Sequence, residues 1–147
     1  MTNTTILLRD VIAGDLSIFF EQQLDPVANE MADFPARNRE AFMAHWAKIM
    51  TDESNILKTI LYGDRVAGNI VSWEHDSERE VGYWLGREFW GKGIATQALS
   101  LLLEQITIRP LYAHVSKHNI ASIRVLEKCR FTKTKEEDEE VILILGR

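Results

Sequence analysis

The stretch Trp90-Gly91-Lys92-Gly93-Ile94-Ala95-Thr96 holds residue types suited to binding an anion. Glycine is the poorest ordinary helix former after proline. Yet Gly91 and Gly93 stand at the mouth of an amphipathic run in which Ala95, Ala98, Leu99, Leu102 and Ile106 recur at helical spacing. Such a glycine is warranted where the backbone turns sharply or where another group must come close. A helix start offers free N–H groups and a partial positive charge, and Lys92 adds a full one, which together suit a phosphate. On residue types alone, a turn that merely joins a strand to a helix fits equally well. Neither GxxxxGK[ST] nor GxGxxG is present there, so the two common nucleotide fingerprints do not apply. His45, His75, His114 and His118 show no metal-ligand spacing with cysteine or carboxylates, and no metal is expected. Cys129 is the one cysteine. It falls near the end of a helical pattern, where the helix dipole disfavours a thiolate.

The elements that must position these groups follow from periodicity and turn chemistry. TTILLR (4–9) reads as a strand. Asp15 is placed to cap a helix that turns Leu16, Phe19, Phe20 and Leu24 inward, and Pro26 ends it. Residues 25–40 hold two prolines and read as irregular. A second helix presents Phe42, Trp46, Ile49 and Met50 on one face, and core packing is favoured over pocket lining for Phe34, Phe42 and Trp46. NILKTILY (55–62), Gly63-Asp64 and RVAGNIVSW (65–73) form a hairpin signature. EHDSER (74–79) reads as a polar turn before EVGYWL (80–85), a third strand of the meander. After the helix that starts near Ile94 come a strand at 111–115 and a helix at 119–129 with Ile120, Ile123 and Leu126 inward. A hairpin of 131–135 and 141–145 around the acidic EEDEE loop completes the pattern. The order β-α-α-β-β-β-α-β-α-β-β predicts a mixed α/β domain with one central sheet.

The bulk numbers agree with one domain spanning residues 1–147 with a real core. No apolar run approaches the roughly 20 residues that cross a bilayer, and the opening segment is too short in apolar residues for a secretory signal. A single cysteine suits a reducing, cytoplasmic setting. A net charge of −5 argues mildly against nucleic acid as a partner and is compatible with a cationic substrate.

That order of elements, with a glycine-rich turn after the fourth strand, resembles the GNAT superfamily of acyl-CoA-dependent N-acetyltransferases across essentially the whole chain. VGYWLGREFWGKGIATQAL (81–99) is similar to the superfamily's acetyl-CoA motif, Arg/Gln-x-x-Gly-x-Gly/Ala, with Trp90 at the first position. A Trp there, and HNIASIRVLEKCRF (118–131) beside N-x-x-S-x-R-V-L-E-K-x-G-F, resemble the RimL/RimJ-like branch, which acetylates ribosomal-protein N-termini. Arg130 stands where that branch commonly has glycine.

The resemblance implies a GNAT fold, with a mixed, mostly antiparallel sheet of about seven strands and about four helices. It implies acetyl-CoA as co-substrate, its pyrophosphate on the backbone N–H groups of Gly91, Lys92, Gly93, Ile94, Ala95 and Thr96. The expected reaction is acetyl transfer to a primary amine by direct attack in a ternary complex. The acceptor is a protein N-terminus or, alternatively, a small-molecule amine such as a polyamine, amino sugar or aminoglycoside. A non-catalytic acyl-CoA-binding module is the reading of another class. Glu80 is the implied base, against the plainer reading of a solvated edge carboxylate; Glu74 and Glu78 are its fallbacks. The backbone near Trp84 and Leu85, where the fourth strand splays from the fifth, is the implied oxyanion donor and partner of the pantetheine arm. Asn119 is implied to contact the arm and Ser122 to lie near the sulfur, although both also suit a helix N-terminus. Many relatives place a tyrosine acid where this chain has Leu126, which leaves Ser122, Tyr83, Tyr112 or water for that task. No membrane is implied, and a monomer or homodimer is expected.

Overall fold

The computed structural model describes residues 5–146. Seven strands form one sheet in the order β1-β2-β3-β4-β5-β7-β6. They are β1 (Ile6–Asp10), β2 (Ile56–Tyr62), β3 (Arg65–His75), β4 (Glu78–Leu85), β5 (Leu111–Ser116), β6 (Thr132–Glu136) and β7 (Glu140–Leu145). The first predicted strand begins at Thr4, which lies outside the described residues. All neighbouring pairs are antiparallel except β4 and β5, which run parallel. That exception places the site. The two strands are joined only at Arg79 with Leu111 and at Glu80 with Tyr112. Beyond Glu80 they diverge and leave an opening in the middle of the sheet.

Five α-helices cover the two faces: α1 (Leu16–Gln22), α2 (Pro26–Ala32), α3 (Arg39–Met50), α4 (Ile94–Gln105) and α5 (Ile120–Lys128). Helices α4 and α5 set Ala98, Leu99, Leu102 and Leu126 against Ile60, Ile70, Val81, Leu111, Ala113 and Leu143 in the larger core. Helices α1 and α3 set Phe19, Phe42 and Trp46 against Leu57, Val66 and Val71 on the other face. Alternation along β4 therefore sends Glu80, Gly82 and Trp84 to the α1–α3 side and Val81, Tyr83 and Leu85 to the α4–α5 side.

Several expectations are corrected. The helix count is five, because residues 25–40 are not wholly irregular. Pro26 begins α2 rather than only ending α1: it occupies the first turn, where its missing N–H costs nothing, and Asp25 caps it by accepting from Val27 N–H at 3.1 Å. The polar turn at 74–79 shrinks to Asp76-Ser77. Both residues are left-handed (φ 49° and 65°), a mirror-image turn that matches strand twist, so the flanking residues pair as strand. Asp15 does not cap α1 with its side chain. It is buried, holds the Arg9 guanidinium at 2.7 and 2.9 Å, and accepts from Thr59 Oγ at 2.6 Å. Those partners outweigh the desolvation that would raise its pKa and hold it below the ordinary carboxylate value. Leu24, Met50 and Ile120 were expected inward and are exposed, by 41%, 38% and 52%. Each lies in the first or last turn of its helix or just past it, where the apolar stripe has no neighbour to meet.

Helix α5 ends in a Schellman arrangement: Phe131 N–H donates to Leu126 O (3.0 Å) and Arg130 N–H to Glu127 O (3.0 Å). Arg130 takes the left-handed position itself, with φ 74°. A side chain there costs about 1–2 kcal/mol. Arg130→Gly is therefore expected to raise unfolding free energy by about 1 kcal/mol and Tm by roughly 2–6 °C. Scanning calorimetry checks this, and a lowered Tm would mean that the arginine side chain makes a compensating contact.

Candidate active site

A short 3-10 turn, Arg87–Phe89, joins the end of β4 to the glycine turn. Gly91 (φ 73°) and Gly93 (φ 75°) are both left-handed. A Cβ built on either meets no heavy atom within 4 Å, so the turn is open on its outer side. Gly93 caps α4, whose hydrogen-bond ladder starts with Gln97 N–H to Gly93 O at 3.1 Å. The N–H groups of Ile94, Ala95 and Thr96 consequently lack an acceptor within the helix. Lys92 is exposed and Ile94 is buried, which anchors the helix while the turn faces out. Trp90 fixes the turn from below: its indole N–H donates to Leu85 O at 3.2 Å, and Arg87 lies over its ring. These features fit a diphosphate, which needs converging donors, a close backbone and no competing anion.

The opening between β4 and β5 is the wall of a cavity of about 610 Å³. On the α4–α5 side it is lined by Tyr83, Asn119, Ser122 and Leu126; Gly82, Trp84 and His114 line the other side. Residues 91–96 lie outside this lining. The structure brings Tyr83 and Ser122 together: the Tyr83 hydroxyl donates to Ser122 Oγ at 2.9 Å. Burial raises the Tyr83 pKa and exceeds the opposing effect of the Ser122 bond, so the phenol stays protonated and serves as a donor. Asn119 does cap α5, accepting from Ser122 N–H at 3.2 Å, and it also lines the cavity. Leu126 is buried in the larger core. Tyr112 lies on the opposite sheet face, beside Glu80. Trp84 is tied down through its indole N–H to Gln22 O (3.1 Å) and faces Phe34 across 6.0 Å. Leu85 is buried in the core and offers only backbone here.

Glu80 is not an edge carboxylate. It sits within β4, 7% exposed, flanked by Trp73 on β3 and Tyr112 on β5. It does not itself line the cavity; His114 does, with its Nε2 3.8 Å from Glu80 Oε1. Burial raises the Glu80 pKa, and the positive potential of His114 and His75 only partly opposes it. In the sequence His114 stands out only as a histidine without metal-ligand spacing. Local sequence does not show a pairing between Glu80 and a residue on another strand, and His114 falls beside Glu80 only when β4 and β5 align. Glu74 lines the cavity too, while Glu78 pairs with His75 at the hairpin. Cys129 is buried, its Sγ 3.7 Å from both Thr96 O and Ser100 Oγ, so it is a packing residue between α4 and α5. Phe42 and Trp46 are core residues whose edges reach the cavity, whereas Phe34, 44% exposed, lines it without belonging to the core.

Comparison with known proteins agrees with the fold. The spermidine N-acetyltransferase of Vibrio cholerae, solved with CoA and spermine, superposes with a TM-score of 0.80 at 16% identity, over 97% of this chain and 94% of that one. The uncharacterized protein MJ1062 of Methanocaldococcus jannaschii is 25% identical over 146 residues, 93% of this chain and 30% of its own length. The uncharacterized N-acetyltransferase p20 of Bacillus licheniformis is 33% identical over 69 residues, 44% of this chain and 38% of its own. The chain thus spans about a third of the length of the curated relatives it matches. The family described as Acetyltransferase (GNAT) domain matches residues 5–132, and the chain belongs to that family.

Proposed function

We propose that this chain is one acetyltransferase domain that moves the acetyl group of acetyl-CoA to a primary amine, by direct attack in a ternary complex. The observation that supports it best is the cavity through the β4–β5 opening, with a tyrosine–serine pair on one face and, on the other, a histidine that stands 3.8 Å from a buried carboxylate behind the lining. An amine near pKa 10.4 is mostly protonated at neutral pH. Glu80, whose pKa burial raises, accepts that proton, directly or through a water. Ser122, which accepts from Tyr83, keeps its own hydrogen free to donate to the departing thiolate. The turn of residues 91–96 holds the diphosphate, and the backbone at Trp84 and Leu85 holds the pantetheine arm and the oxyanion. Cys129 takes no part, and its burial in a reduced state suits a cytoplasmic protein.

The motif resemblance supports a protein N-terminus as acceptor. A small polyamine is the second reading, favoured by Asp52 and Glu74 on the cavity wall. Incubating the protein with acetyl-CoA and a panel of N-terminal peptides and polyamines, followed by mass spectrometry, tests both. Acetylation of one class and not the other is the expected result. Normal CoA binding with no amine acetylated would instead favour a non-catalytic acyl-CoA-binding module.

A further inference from the structure

Resting on the proposed acetyl transfer, one residue outside the sequence-predicted set has a role that geometry suggests. A base that takes one proton per turnover must lose it before the next. Glu80 is nearly enclosed, so water cannot readily carry the proton away. His114 Nε2 lies 3.8 Å from Glu80 Oε1, and His114 Nδ1 lies 3.1 Å from Glu140 Oε1. The side chain of Glu80 is 10% exposed, that of His114 30% and that of Glu140 39%, so exposure rises along the row. His114 also lines two spaces at once: the cavity in the β4–β5 opening, and a second cleft between the end of α2 and the β6–β7 loop. Glu140, Ser116 and Phe34 line that cleft.

We propose that His114 is the proton-positioning residue that drains Glu80 into the second cleft. Glu80 takes one proton from the ammonium and so frees the lone pair; the amine then forms the N–C bond as the C–S bond breaks, and its second proton reaches the departing thiolate by way of Ser122, which leaves one proton per turnover on Glu80. A small rotation of the Glu80 side chain closes the 3.8 Å gap and passes the proton to His114 Nε2, and the ring releases its Nδ1 proton to Glu140 and from there to water. No bond other than N–H and O–H changes in the relay, and the ring regains its first tautomer by exchange with water in the cleft. The charged groups around the ring favour this direction. Glu80 on β4 and Glu140 on β7 flank it, Glu74 faces it across the cavity, and Asp33 and Glu137 to Glu139 line the cleft. His75 and Glu78 act on the far side of Glu80. Arg37, His45 and Asp52 also line the cavity; carboxylates outnumber the cations around the ring, and they stabilise a passing positive charge. Among the described residues no three such groups converge on a point that would suit a metal ion, so the row is a path rather than a cage.

Rapid-quench kinetics of wild type and His114→Gln separate this role from a structural one. In the variant the first turnover should run at the wild-type rate, because Glu80 starts empty. Later turnovers should slow by roughly tenfold or more, and added imidazole should restore part of the loss. Equal steady-state rates in the two proteins would overturn the relay. So would an equal slowing of the first and later turnovers with no response to imidazole. If wild type acetylates no amine, the enzymatic reading fails by itself, and the histidine ring resonances in NMR still test the contacts. The His114 ring signals should move in Glu140→Gln and in Glu80→Gln, since each replaces a group that the ring nitrogens contact. Ring signals unmoved in both would overturn the inference.

Discussion

Gly93→Val should weaken CoA binding by about a hundredfold or more. The turn offers its N–H groups over an open outer side, and a valine at Gly93 puts a branched side chain in that space. Hydrogen bonds to charged groups are worth about 1.5–3 kcal/mol each, so losing two of them corresponds to roughly two decades or more of affinity. The substitution has a second effect. At φ 75° a β-branched residue is strained, and the N-terminus of α4 will shift to relieve it. Gly63, also left-handed at φ 64° but in the β2–β3 hairpin turn, provides the control. Gly63→Ala should lower Tm and leave CoA affinity alone, which separates backbone strain from loss of the phosphate cradle. Calorimetric titration of both variants decides the matter. A Gly93→Val protein that binds CoA normally would place the diphosphate elsewhere.

Glu80→Gln should slow the chemical step by roughly a hundredfold or more, within the usual range for a general base. The substitution keeps the shape and removes the basicity. CoA affinity should hardly change, because Glu80 lies on the α1–α3 side of the sheet and the Tyr83–Ser122 pair on the other. The sign of the pH dependence follows from burial. Since burial raises the Glu80 pKa, the wild-type rate should fall with decreasing pH earlier than for an ordinary carboxylate. That acid limb should vanish in the variant, whose rate should recover at high pH as free amine becomes abundant. Acetylation by Glu80→Gln at the wild-type rate near neutral pH would remove Glu80 from the mechanism and leave Glu74, which lines the same cavity, as the next carboxylate to test.

The elements with a strong repeat were legible because one period decides one face. The apolar run from Ile94 to Leu102 has only one helical stripe, and it is the stripe that is buried. The glycine turn was legible for a related reason, since few conformations call for two glycines around a lysine at a helix start. Expectations failed where a residue has two local meanings. Pro26 reads as a stop after α1, yet proline is as much at home in the first turn of a helix. Asp15 has the chemistry of a cap, but Arg9 and Thr59 arrive from strands that local sequence does not bring near.

The sequence by itself determined the class of fold, the open turn at residues 91–96 and the absence of tyrosine at Leu126. All three are local: they depend on residue type, spacing and backbone freedom within about one turn of chain. The tertiary structure alone decided which side chains meet beside Leu126 and how far the Glu80 carboxylate is shielded from solvent. Tyr83 and Ser122 are 39 residues apart and meet through a 2.9 Å hydrogen bond only because α5 packs over β4. Glu80 becomes buried, and gains His114 as a neighbour, only because two parallel strands pair for two residues and then part. Proton affinity depends on desolvation and on charges within a few ångströms, and those distances are set by packing between segments remote in sequence.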